Sequence, residues 1–398
     1  MAQSPTLTTL HNFTGSDGSF PEASMVVGPD GTLYGTTNGL DQGVGTVFSM
    51  TPPASPGGAW AFNVLHTFAS GEAPLSNVVI GSGGTLYGTT PYGGGGSCIE
   101  GGCGTAFSLA PPASPGGEWT YTVLWSFSAG ADGANPSGAL AIGAGGVLYG
   151  TTQGTETTGP GTVFALLPPA SAGGAWTKRL LYTFSGSNDG IDPIAGVVIG
   201  PGGVLYGTTY VGGFDNNGTV FSLTPSGDPI EPWTETQIHA FGEATDGAFP
   251  GAPLLIGAGG VLYGTTISGG TAFSGTVFSV TPPASPGGEW GEAIIHSFAG
   301  TAGHDGANPR SGLAIGPHGF LYGTTVTGGR PDSDGGIVFA MIPPSAGGSW
   351  TEQILYVFPT FGDPAPSGPF GGVVGSGGVL YGTASGGTSN LGAVFSLE

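Results

Sequence analysis

The sequence predicts an all-β fold, a seven-bladed β-propeller of four-stranded antiparallel blades, with the ring closed by an N-terminal strand that joins the C-terminal blade. Three observations predict it. The block Leu33-Tyr34-Gly35-Thr36-Thr37 recurs from Leu86, Leu148, Leu205, Leu262 and Leu321, and from Leu380 with Ala384 last, at intervals of 53 (Leu33 to Leu86) to 62 residues (Leu86 to Leu148). That period suits a propeller blade and is too long for one turn of a β-solenoid. No segment sustains apolar residues at helical spacing free of Gly or Pro. The chain ends are out of phase with the repeat in a complementary way.

Each repeat reads as four strands, a to d. In the fourth, Gly196–Gly200 is strand a and Val204–Thr209 is strand b; Gly218–Thr224 is strand c, and Trp233–Phe241 is strand d. Gly stands in every a–b turn, as in Asp30-Gly31, Gly83-Gly84, Gly202-Gly203 and His318-Gly319, where a tight hairpin requires positive φ. On strict alternation Trp60, Phe62, Val64, His66 and Phe68 share one face of strand d, with Leu65 on the other. Trp119, Tyr121, Val123, Trp125 and Phe127 repeat the pattern, as do Trp290, Ile294, His296 and Phe298. Apolar groups on both faces predict a strand sandwiched between blades.

Residues 6–13 form a strand d with no a, b or c before it, and residues 392–397 a strand c with no d after it. Residues 4–13 are therefore expected to supply the outer strand of the last blade, making residues 1–398 one domain without open sheet edges.

Composition narrows the partners. Gly 84 and Pro 34 together make up roughly 30% of the chain, which would indicate disorder were it not periodic. Only Lys178, Arg179, Arg310 and Arg330 are basic, and the formal net charge is -21. Nucleic acid, which demands clustered cations, is excluded as an expected partner, and an anionic membrane surface is disfavoured. No apolar run is long enough to span a bilayer. A monomer is expected. Cys98 and Cys103 share one Gly-rich loop. A local disulfide is the preferred reading and implies an oxidising compartment, although two free thiols would suit the cytosol. The expected localisation is extracellular or cell surface, with the signal peptide absent from this sequence.

The strand order places b–c and d–a loops at one end of each blade. The c–d loops at the other end are nearly identical, as in 51–58 and 281–288, whereas the b–c loops vary, from 38–44 to the cysteine loop and 326–335. Variable loops on a rigid frame are where binding usually resides. The d–a loops carry Asp-Gly-x-x-Pro at Asp17, Asp132, Asp189, Asp246 and Asp305. Turn capping explains that motif without a ligand. Its functional alternative is a set of carboxylates for Ca²⁺ or polyhydroxylated ligands; no loop has EF-hand spacing, so no cofactor is expected. His11, His66, His239 and His296 occupy one position of strand d, where Trp125, Tyr182 and Tyr356 stand in other copies. They are expected to pack between blades as amphipathic rings, not to converge on a metal.

One cluster departs from the repeat: His304 and Asp305 in a d–a loop, Arg310 at the start of strand a, and Arg330, Asp332 and Asp334 in a b–c loop. Arg310 and Arg330 could hold a carboxylate or sulfate, and His304 could act as acid or base with Asp305 as its orienter. The competing reading is a set of solvated loop charges. No phosphate-binding loop, nucleophile elbow or zinc-protease motif is present.

The linked blocks Gly-x-Leu-Tyr-Gly-Thr-Thr, Gly-Thr-Val-Phe-Ser-Leu-Thr-Pro and the Trp-led Leu-His/Tyr-x-Phe strand resemble the Gloeobacter/Verrucomicrobia-type tandem repeat, GloVer, over the whole chain; kelch and WD40 signatures are not matched. The resemblance implies bacterial, extracellular or surface-attached proteins and brings no catalytic residues with it. The expected function is noncatalytic binding or scaffolding of a glycan or protein through the variable loops. The alternative is an extracellular polysaccharide lyase or hydrolase with its pocket at the channel mouth.

Overall fold

The computed structural model describes residues 5–398 except 40–42, 56, 97, 99–100, 115, 156–158, 172, 187, 227–231, 243–244, 286 and 346–347. Ser4, part of the 38–44 and cysteine loops, and Pro56 and Pro286 of the near-identical loops thus lie outside the described residues. The contacts fall into two compact units: Met1–Thr67, Glu243–Ala248 and Leu255–Glu398 form one, and Phe68–Gly242 with Phe249–Leu254 the other. Among the described residues, seven antiparallel sheets of four strands, with two further two-stranded pairings in the loops, make up the seven-bladed β-propeller expected from the period. Among the described residues no helix is long and apolar enough to cross a membrane.

In the first blade, strands a to d are Val26–Val27, Leu33–Thr37, Thr46–Thr51 and Ala61–Thr67. The a–b turns take positive φ at Gly31, Gly83, Gly84, Gly202, Gly203 and also His318. In the last blade, Val374–Ser376, Val379–Ala384 and Ala393–Leu397 are completed by the N-terminal strand Leu7–Asn12, which pairs with Ala393–Leu397.

Every letter of the repeated strand b has a physical task. Its Leu is fully buried in all six Leu-Tyr-Gly-Thr-Thr copies. The Gly is required because the strand-c Phe lies across it: a Cβ on Gly207 would meet Phe221 Cζ at 2.6 Å. In five of the six copies the second Thr joins a buried Thr on strand c, as Thr152 Oγ1 does Thr162 Oγ1 at 2.7 Å. The remaining two residues bind the following blade. Tyr149 meets Trp233 at 5.9 Å between ring centroids, and Thr151 donates to Ala195 O at 2.8 Å.

The last blade reaches the first by the same two contacts. Tyr381 meets Trp60 at 5.4 Å, and Thr383 donates to Ala23 O at 3.0 Å.

Strand d corrects the expected facial pattern. His66 pairs with Val47 but Val64 with Phe48, so Leu65 is an extra, bulged residue. The bulge resets the alternation. Val64, Val123 and Leu180 therefore turn to solvent, at 39%, 44% and 41% exposure, instead of packing beside Phe62 and Tyr121.

Candidate functional site

The outer strands and Asp-Gly loops, which look unrelated in sequence, meet in a repeated socket. The ring near the end of strand d donates to, or shares a proton with, the Asp of the following loop. His11 Nε2 lies 3.0 Å from Asp17 Oδ2, and His296 Nε2 lies 3.1 Å from Asp305 Oδ2. Trp125 Nε1 donates to Asp132 at 3.2 Å and Tyr182 Oη to Asp189 at 2.8 Å. The carboxylates also accept backbone amides: Asp17 from Thr14, Asp132 from Ser128, Asp189 from Ser185 and Asp305 from Ala299. Packing and turn capping are thus two halves of one device.

The third wall is the second residue of the next blade's strand d, and its chemistry varies. Phe62 stacks on His11 at 3.8 Å with planes 5° apart. Lys178 places its ammonium 3.0 Å from Asp132 Oδ1 and 2.7 Å from Asp132 O, near the rings of Phe127 and Phe164. Burial pulls the Lys178 pKa down while Asp132 opposes it. Glu235 stands beside Tyr182 and Asp189; burial, then the Asp189 charge, push its carboxyl up to about 7.

Glu352 completes the most highly charged socket, with Oε2 3.6 Å from His296 Nε2. The side chains of His296, Asp305 and Glu352 are 22%, 10% and 14% exposed, enough to admit an ion or water. Burial, with the neighbouring Asp305, pushes Glu352 up to about 7, although His296 draws it down. Burial would also lower His296, but its bond to Asp305 and the charges of Glu352 and Asp305 raise it on balance. Asp305 stays below the usual carboxylate range because His296 and the Ala299 and Gly306 amides outweigh its burial. Glu352 Oε1 is buried without a hydrogen-bond partner.

The loops of the predicted sixth-blade cluster do meet. Gly306–Ala307 pairs with Thr327–Gly328, and Gly329 N donates to Asp305 O at 2.7 Å. Their side chains take separate partners. Asp305 is turned inward onto His296, so the expected His304–Asp305 acid–base pairing gives way to a His296–Asp305 pairing. His304 is exposed on left-handed backbone, φ 59°. Arg310 is exposed, with its guanidinium 5.9 Å from the Phe370 ring centre. Its charge pulls down the Glu22 pKa, which burial raises. Arg330 and Asp332 are exposed in a tight turn closed by Arg330 N to Ser333 O at 3.0 Å. Cys98 and Cys103 form the expected disulfide. Sequence reasoning singled out neither Glu352 nor Glu235. The signal available was the column they share with Phe62, Tyr121 and Lys178, which changes from apolar to cationic to acidic while its neighbours stay constant.

Two of the variable loops carry a further feature at their tips. Phe214, in the b–c loop of the fourth blade, is 89% exposed, and Phe273, in that of the fifth, is 71% exposed.

The Gloeobacter/Verrucomicrobia repeat matches residues 1–177, 95–305 and 234–398. The chain belongs to this repeat family. Among solved structures it is similar to a candidate 6-phosphogluconolactonase of Bacteroides uniformis, at 15% identity and TM-score 0.54, covering 85% of this chain and 86% of that one. It is also similar to hydrazine synthase of Kuenenia stuttgartiensis, at 15% identity and TM-score 0.56, covering 96% and 97%. At such identities these likenesses concern the propeller fold alone. No curated protein matches the chain. In this chain the repeated strand-b block is spent on the core and on joining blades, so what recurs is scaffold and what differs between repeats lies in the loops.

Proposed function

We propose that the chain is a single secreted propeller domain acting as a noncatalytic binding or scaffold protein, with a glycan or protein ligand held by the b–c and d–a loops. The observation that carries this reading is the exposure of Phe214 and Phe273 at b–c loop tips. A large ring held in water on a Gly-framed loop gains free energy when a sugar face or an apolar side chain covers it. The Cys98–Cys103 disulfide supports an oxidising, extracellular location. The separate engagement of His304, Asp305, Arg310 and Arg330 weighs against a convergent acid–base centre built from them.

The test is a glycan array and a pull-down from the native medium, with wild type and Phe214→Ser/Phe273→Ser. Binding that is lost in the double variant, with an unchanged melting temperature, is expected. Release of product from a polysaccharide panel, abolished by His304→Ala or Arg310→Ala, would replace this reading with that of a lyase or hydrolase.

A further inference from the structure

The socket formed by His296, Asp305 and Glu352 gathers an imidazole and two carboxylates. Their ligand atoms all lie within 4.8 Å of one another. Three blades earlier, Lys178 occupies the position of Glu352 and its ammonium rests on Asp132, the counterpart of Asp305. A cation therefore fits this point of the socket. Where Glu stands in that position, a second carboxylate is turned toward the first. Desolvating two carboxylates side by side is costly unless a proton or a cation lies between them.

We propose that His296 Nε2, Asp305 Oδ2 and Glu352 Oε2 bind a first-row divalent transition-metal ion, such as Zn²⁺, in the place that Lys178 fills in the third blade.

The geometry suits such an ion. Bonds of about 2.0–2.2 Å in a tetrahedral arrangement separate the ligand atoms by roughly 3.3–3.6 Å. The observed separations from His296 Nε2 are 3.1 Å to Asp305 and 3.6 Å to Glu352. The partial exposure of the imidazole leaves room for water as a fourth ligand. Asp305 is already oriented by the amides of Ala299 and Gly306, which is the outer-shell support that ligating carboxylates usually have. Glu352 Oε1, buried and without a hydrogen-bond partner, gains a second interaction if the carboxylate turns to chelate. An imidazole in the donor set disfavours Ca²⁺ and Mg²⁺, which take oxygen ligands. Binding requires His296 neutral with Nε2 free and Glu352 ionised, so the Nε2 proton passes to solvent from the imidazolium or to Nδ1 from the neutral ring, and the Glu352 carboxyl proton to solvent, as the His296–Asp305 hydrogen bond is replaced by two metal bonds. The sequence carries the same three residue types one repeat earlier, at His239, Asp246 and Glu292.

The experiment is zinc uptake by the full chain after chelator treatment, followed by titration calorimetry at neutral pH and elemental analysis of the dialysed protein. Wild type is compared with His296→Gln and Glu352→Lys. The second variant recreates the Lys–Asp pair of the third blade and is expected to fold even where the first does not. Each folded variant is expected to bind one zinc fewer per chain than wild type. Zinc should raise the melting temperature of wild type more than that of Glu352→Lys. Equal uptake by wild type and folded Glu352→Lys, or no saturable uptake by wild type at micromolar zinc, overturns the proposal.

Discussion

Replacing Phe13 by Ala measures whether the N-terminal strand is an integral part of the last blade. Phe13 is fully buried. Its ring lies edge-on to Phe48 at 5.3 Å, Phe62 at 5.8 Å and His11 at 5.0 Å, and its N–H donates to Gly392 O at 3.0 Å. It shares a core cluster with Met25, Leu33, Met50 and Val394, so the two ends of the chain and the first blade meet around one ring. Truncating a buried Phe to Ala costs about 3–5 kcal/mol from lost transfer energy and the cavity left behind. Unfolding entropy near 2.1 cal/mol/K per residue over 398 residues gives about 0.8 kcal/mol/K, so the melting temperature should fall by about 4–6 °C. Phe358→Ala is the matched control. Phe358 is fully buried, packs edge-on to Phe395 at 5.4 Å and donates to Gly336 O at 2.9 Å, the same arrangement within a continuous stretch of chain. Scanning calorimetry should show the two variants losing similar stability. A shift below about 1 °C for Phe13→Ala, beside the full shift for Phe358→Ala, would refute the reasoning, because the N-terminal strand would then not be docked. Deleting residues 1–13 should do more than either, since it also exposes the hydrogen-bonding edge of Ala393–Leu397 and invites aggregation.

Glu235 provides a pH-dependent test. Its folded pKa is raised to about 7 from 4.5, so the folded state holds an extra proton between those values and stability declines as pH rises through them. The full shift corresponds to about 3 kcal/mol, which solvent at this partly open site screens to about 1–2 kcal/mol. Glu235→Gln should therefore match wild type at pH 4 and exceed it by that amount at pH 8 in urea unfolding; equal stabilities at both pH values contradict the assignment. Thr151→Val keeps the shape but leaves Ala195 O without its 2.8 Å donor, and should cost about 1–2 kcal/mol by the same assay. Gly207→Ala places a methyl 2.6 Å from the Phe221 ring and should cost about 1–3 kcal/mol; a neutral result would mean that the ring can move aside.

How far the candidate site was legible depends on distance along the chain. The Asp-Gly turns are local, and a carboxylate that caps amides three to six residues away can be inferred from spacing alone. The identity of its ring partner is less local, and the third wall not local at all, since Glu352 belongs to the next repeat. That Asp305 pairs with His296 and not with the adjacent His304 has the same cause. Adjacent residues on an extended or turning backbone point apart, and the Asp is claimed by a ring from the preceding strand. The bulge at Leu65 carries no compositional mark, so strict alternation put Val64 on the wrong face.

The sequence by itself determined the number of blades, their four-strand order, the hairpin turns and the division of the last blade between the two ends of the chain. Those features follow from short-range rules: period, alternation and the φ requirements of Gly. Tertiary structure alone decided what the strand-b Tyr and first Thr are for, which face Val64 takes, and that an imidazole and two carboxylates from three elements meet in one socket. Such contacts are set by how one blade is stacked on the next, and that stacking is written in no single repeat.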